Sequence, residues 1–154
     1  MYQSLIYPHL QYGISFWGAV DKSNFEKIFR VQKKCVRLIS RAGRYEHSEP
    51  LFKLSKILRL EEVKKLEMCK FIFNDLNFGH RFNFLNRNST HSYNTRFSSH
   101  LDLPRPRTSS FKASIFYSGL KFFNDLPAHL KQALSKSSFK INFKLLILDT
   151  YCSI

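Results

Sequence analysis

The sequence predicts a mainly α-helical protein, in which a small helical bundle is joined by a long basic loop to a C-terminal helical segment. Apolar residues recur at three- and four-residue steps in several stretches, as they do on one face of a helix. No stretch shows the alternation of a half-buried strand. Turn-forming residues and arginines fill residues 77–110, which separates a bundle at 1–76 from a helical segment at 111–154.

The composition indicates a globular chain with an unusual charge. Its 154 residues are enough to bury one core, and 16 Phe and 7 Tyr predict a core built around aromatic rings. Lys and Arg number 25 against 11 Asp and Glu, a net charge of +14, and the excess is present on both sides of residue 77. Such an excess repels itself in a compact state, so a polyanion is the first partner to consider.

The first half of the chain reads as a series of helices. Residues 2–17 are apolar and aromatic, Pro8 suits a first helical turn, and Gly18 ends this stretch. The clearest helix then begins at Asp21 or Ser23, where Ser23–Glu26 match a capping box, and is expected to end at Gly43. Further helices are predicted at 48–56, 61–77, 111–125 and from 138 onward.

The helix that begins at Ser23 has one apolar side and one basic side. The basic side consists of Lys27, Arg30, Lys33, Lys34, Arg37 and Arg41. A charged outer face is common in helices, and this interpretation stays open. A solvated face normally mixes both signs, however, and Glu26 is the only acid between Ser23 and Arg44. The shortage of acids favours a nucleic-acid-binding surface.

The connector at 77–110 has a second group of candidate binding residues. Pro104 and Pro106 hold the backbone around Arg105 and Arg107 extended, which would let the guanidinium groups lie along phosphates. Aromatic and basic residues also occur earlier in the connector, where rings can stack on bases: Tyr93, Arg96 and Phe97. Alternatively, the arginines neutralise helix C-termini or keep a loop soluble, and the sequence does not decide between the two.

Residue patterns typical of catalysis are missing. Carboxylates are not clustered as in a two-metal site, and neither a P-loop nor a nucleophile motif occurs. The histidines are scattered and no C-x-x-C is present, so we predict no metal, no cofactor and no catalytic residue. Three cysteines without paired spacing indicate a reducing intracellular compartment, nuclear or cytoplasmic, and no apolar run approaches a membrane span.

Several short motifs in order carry a family resemblance. They are YPHLQYG at 7–13, FWG at 16–18, VQKKCVRLI at 31–39, HSEPLF at 47–52, YNTR at 93–96, RT at 107–108 and FNDLP at 123–127. Together they resemble the region that follows the catalytic palm in reverse transcriptases of non-LTR retrotransposons of the jockey and CR1 type. One departure is Phe123, where the family usually has Trp. The family's paired polymerase aspartates are expected upstream of residue 1.

The resemblance implies that residues 1–76 are similar to a polymerase thumb, which grips the primer–template duplex. The expected function is a non-catalytic fragment of an RNA-directed DNA polymerase that binds RNA or DNA along its backbone. One alternative is a fragment that binds a palm in trans or self-associates, through the aromatic residues expected to face the palm: Tyr2, Tyr7, Phe16 and Trp17. The other alternative is that the chain is a translated remnant of a transposable element and has no cellular role.

Overall fold

A computed structural model describes residues 2–20, 22–79, 81–82, 84 and 100–152. These residues are mainly helical, which confirms the predicted fold class. The α-helices are α1 (Tyr7–Gln11), α2 (Ile14–Val20), α3 (Lys22–Ile39), α4 (Ser48–Leu54), α5 (Leu60–Asn74), α6 (Ser109–Ala113), α7 (Leu120–Asn124), α8 (Ala128–Lys131) and α9 (Lys136–Cys152). π-Helical turns at Tyr2–Ile6, Asp75–Gly79 and Ile115–Gly119 adjoin α1, α5 and α7. None of the described helices is both long and apolar enough to cross a membrane.

Helix α5 is the centre of the bundle. Helices α1, α2, α7 and α9 all pack against it, so it is enclosed on several sides. Its buried residues are Leu60, Val63, Leu66, Met68, Cys69, Ile72 and Phe73. Burial raises the pKa of the Cys69 thiol to about 12, so this cysteine is protonated at neutral pH and packs as a small apolar side chain.

The two halves of the chain share one core. The rings of Phe73 in α5 and Phe139 in α9 stack with their centroids 4.6 Å apart, and Phe143 lies one turn further along α9. Leu120 and Phe123 of α7 join the same cluster of buried residues. The C-terminal segment at 111–152 is therefore packed on the first half, which it helps to cover.

Helix α3 ends earlier than the predicted Gly43 cap. After Ile39 the chain turns at Arg41, whose φ of 53° is left-handed. The amide of Ala42 donates to the carbonyl of Arg37 at 2.9 Å, and that of Arg41 donates to Leu38 at 3.2 Å. This is a Schellman ending with an arginine in the position that usually holds glycine. The prediction for Gly43 was wrong because the chain had already turned two residues before it.

One buried polar side chain links α3 to the rest of the bundle. Gln32 is fully buried, and its amide nitrogen donates to the hydroxyl of Tyr2 at 2.7 Å and to the carbonyl of Leu58 at 2.9 Å. Its carbonyl oxygen accepts from the amide of Leu60 at 2.9 Å. These bonds satisfy the backbone groups on both sides of Arg59, where the chain enters α5, and fix the rotation of α3 about its axis.

Candidate nucleic-acid interface

The α3 cationic face, defined as Lys27, Arg30, Lys33, Lys34 and Arg37, lies opposite the side that α3 buries. Lys27, Arg30 and Lys34 are exposed, whereas Lys33 and Arg37 are half-buried. On the other side, Gln32 and Val36 are completely buried. Because one face of α3 is packed in the core, the helix cannot turn its opposite face inward without unpacking the core. The bundle thus holds these cations toward solvent.

Short local contacts position several of these side chains. The Nζ atom of Lys33 lies 4.4 Å from the centroid of the Phe29 ring, a cation–π arrangement. The Nε atom of Arg37 donates to the backbone carbonyl of Glu46 at 2.7 Å. Lys27 donates to the side-chain oxygen of Asn24 at 3.3 Å. The groups contacted are a ring, a backbone carbonyl and a side-chain amide, and none of these groups is charged.

No carboxylate in the described part of the chain forms an ion pair with the α3 cationic face, although Glu26 lies one turn before Arg30 and Glu49 lines the same pocket as Lys33. Ion pairs are present elsewhere, between Arg59 and Glu49 at 2.6 Å and between Lys70 and Glu67 at 2.9 Å. No described carboxylate comes within 4.0 Å of the α3 cationic face. The positive potential along this face is therefore not neutralised by ion pairing with the described residues, and it is available to an external anion.

Arg41 was predicted to lie on the same helical side, and the structure places it beyond the end of α3. Its left-handed backbone belongs to the turn that closes the helix. The side chain is exposed and lies at the helix C-terminus, where a cation is favoured by the unpaired carbonyl groups. Arg41 is an extra cation next to the α3 cationic face and does not belong to its helical row.

The structure describes only part of the connector's candidate residues. Arg105 and Arg107 are exposed, and neither side chain forms a hydrogen bond or ion pair with a described residue. Tyr93, Arg96 and Phe97 lie outside the described residues. Their role in binding stays a prediction.

Both ends of the segment that carries Arg105 and Arg107 are anchored. The side chain of Asn124 accepts from the amide of Leu101 at 2.9 Å and donates to its carbonyl at 2.9 Å. At the other end, the hydroxyl of Thr108 caps α6 by accepting from the amide of Phe111 at 3.2 Å. These contacts hold both ends of the segment that carries the two arginines. Less conformational entropy is therefore lost when the arginines bind an anion.

Two of the four aromatic residues predicted to face a partner are instead in the core. Tyr2 is 5% exposed and bonds to Gln32, and Tyr7 is buried with its pKa raised to about 12, chiefly by desolvation. This is a correction: the apolar rings of these tyrosines fill the bundle, and the Tyr2 hydroxyl finds a partner inside it. Phe16 remains 64% exposed, and Trp17 is half-buried.

Phe16 and Trp17 line an apolar groove of about 330 Å³ between α2 and the start of the C-terminal segment. Ile115 and Phe116 form its other wall. Two of the residues predicted to face a partner, Phe16 and Trp17, therefore lie at the surface of the groove.

Sequence reasoning missed Gln32 and Asn124, the two side chains that position the candidate interface. Gln32 had a signal, because it is a polar residue on the apolar side of α3. Asn124 had no such signal apart from its place in the FNDLP motif. Its partner Leu101 is distant in sequence, so the contact could not be predicted from local spacing.

The described residues of the candidate site are mainly cationic side chains. No group of three or more His, Cys, Asp or Glu side chains among them could hold a metal ion. What the site provides is fixed positive charge on a rigid helix, together with two exposed arginines on an anchored segment. Such an arrangement suits contacts to phosphate groups, which carry no sequence information.

No protein-family model, no curated protein and no solved structure matches the chain.

Proposed function

We propose that the chain is a non-catalytic, nucleic-acid-binding part of a non-LTR retrotransposon RNA-directed DNA polymerase. The α3 cationic face would hold the sugar-phosphate backbone of a duplex, as a polymerase thumb does. The observation that carries the proposal is a row of cations on one side of a packed helix without a described carboxylate within ion-pairing distance. Support for the polymerase origin comes from the ordered short motifs.

The dimensions of α3 suit a backbone contact. From Lys27 to Arg37 the helix rises by roughly 15 Å, at about 1.5 Å per residue. One strand of B-DNA advances by about 3.4 Å along its helix axis per phosphate, so this length spans about four to five phosphates. A row of this length can neutralise several neighbouring phosphates without reading bases, and it suits RNA or DNA.

Arg105 and Arg107 would add contacts from their anchored segment. They are exposed and bear no partner among the described residues, so they can bind phosphate without first breaking an ion pair. Tyr93, Arg96 and Phe97 belong to the same hypothesis, with rings that stack on unpaired bases. A cellular location with access to nucleic acid, nuclear or cytoplasmic, follows from this function.

Binding is expected to weaken steeply with salt. If the α3 cationic face neutralises about five phosphates, a plot of log affinity against log salt has a slope of about −4.5 on duplex DNA. Affinity would then fall by about 10²–10³-fold between 50 and 200 mM salt. Fluorescence anisotropy with two unrelated duplexes of equal length measures this slope and shows whether sequence matters. A slope shallower than about −2, or a strong preference for one duplex, contradicts the proposal.

A second candidate function is association with a palm domain or with another copy of the chain. It is favoured by the exposed Phe16 beside the 330 Å³ apolar groove. Exposed aromatic patches of this kind often mark protein contacts. Light scattering across a concentration series separates the two candidates, because a monomer at every concentration argues against self-association while leaving nucleic-acid binding untouched.

A further inference from the structure

A second basic cluster surrounds a cleft that is lined by none of the residues of the α3 cationic face. The cleft has a volume of about 290 Å³ and lies between the start of α3 and the neighbouring helices α5 and α7. Its lining includes Lys22, Phe25, Glu61, Lys64, Lys65 and Phe122. Three lysines against one glutamate leave the cleft positively charged, and two phenyl rings form part of its walls.

The lysines of this cleft differ in how they are held. The Nζ atom of Lys64 donates to the carbonyl of Gly18 at 2.8 Å and lies 5.7 Å from the Phe25 ring centroid. Burial lowers the pKa of Lys64, and the charge of Glu61 opposes this effect. Lys64 is therefore part of the wall, and its ammonium group is already engaged by a backbone carbonyl.

The two exposed lysines are the ones available to a ligand. Nζ of Lys65 lies over the Phe122 ring, 5.4 Å from its centroid, and Lys22 is an exposed residue of the same lining. Neither has an ion pair with a described carboxylate. The lining therefore offers ammonium groups to an anion and ring carbons to a flat apolar group.

We propose that this cleft binds a single nucleotide, with its base against Phe122 and its phosphate between Lys22 and Lys65. The volume is close to the lower end of ligand sites, about 300 Å³, and suits one nucleotide better than a base pair. Stacking on a ring is tolerant of base identity, so we expect little preference among bases. The inference rests on the proposed function, since the nucleotide would be the end of a strand held nearby.

The cleft can be tested without a duplex, by NMR of the isotope-labelled full chain at constant salt. Adenosine monophosphate is expected to shift the amide signals of Gly18, Lys65 and Phe122 in a saturable way. Adenosine lacks the phosphate and ribose 5-phosphate lacks the base, so each is expected to bind at least about tenfold more weakly. Equal binding of ribose 5-phosphate would overturn the proposal, because the rings would then contribute nothing.

Two surface variants of equal charge complete the test. Lys65→Gln is expected to weaken adenosine monophosphate binding about tenfold, since it removes one charged contact to the phosphate. Lys121→Gln removes the same charge from an exposed position beside Phe122 and should leave binding unchanged. No difference between the variants, or shifts confined to the α3 cationic face, would overturn the cleft assignment.

These results are separable from the proposed function. Variants of the α3 cationic face should lose duplex binding and keep the mononucleotide, whereas Lys65→Gln should do the reverse. A failed duplex titration with a positive mononucleotide titration therefore refutes only the proposed function, and the opposite pattern refutes only the cleft.

Discussion

Replacing Gln32 by leucine is expected to lower the free energy of unfolding by about 2–4 kcal/mol. The glutamine satisfies the carbonyl of Leu58 and the amide of Leu60, and both backbone groups would lose their partner in the variant. A buried group left unpaired costs about 1–3 kcal/mol, and the added apolar contact of leucine offsets only part of that. The effect is large because one side chain serves three partners, Tyr2 included.

Urea unfolding followed by circular dichroism measures this effect. The matched control is Gln132→Leu, because Gln132 is exposed and the same chemical change there should alter stability by no more than about 0.5 kcal/mol. A Gln32→Leu variant as stable as the Gln132→Leu variant would show that α3 is not fixed by this network. The orientation of the α3 cationic face would then lose its structural support.

Removing three cations from the α3 cationic face is expected to lower duplex affinity by about 10²-fold at about 100 mM salt. The variant Lys27→Gln, Arg30→Gln, Lys34→Gln changes exposed positions only, so the fold should be unaffected. Each lost phosphate contact reduces the salt slope by about 0.9, so the slope should become shallower by about 3. Anisotropy titrations across a salt series measure both quantities.

The control for this variant is a second triple variant with the same net charge. Lys112→Gln, Lys121→Gln, Lys140→Gln also replaces three exposed cations, and these lie on α6, α7 and α9. If binding depends on the α3 cationic face, the control should keep most of its affinity and slope. Equal losses in both variants would mean that only the total charge of +14 matters, and the α3 assignment would be wrong.

The helices and the basic side of α3 could be predicted because both depend on local spacing. Positions three and four residues apart share a helix face, and the shortage of acids near Lys33 and Lys34 is visible without a structure. The end of α3 could not be predicted in the same way. Arg41 adopts a left-handed conformation that glycine normally supplies, so no residue type marked the turn.

The features that could not be predicted share a physical cause, which is contact between distant parts of the chain. Tyr2 is buried because Gln32, 30 residues away, supplies a partner for its hydroxyl. The stacking of Phe73 on Phe139 depends on how the C-terminal segment returns to α5. The cleft likewise combines Lys65 and Phe122 from different helices. Periodicity assigns a residue to a face, but it does not identify what covers that face.

The most direct test of the α3 cationic face is lysine acetylation with and without a bound duplex, followed by mass spectrometry. Lys27 and Lys34 are exposed in the free chain and should react quickly, as should Lys112, Lys121 and Lys140. With duplex present, we expect acetylation of Lys27 and Lys34 to slow at least about tenfold, because their amines contact phosphates. The other three lysines should react at unchanged rates. Equal protection of all five, or protection of the C-terminal lysines alone, would contradict a duplex held by α3.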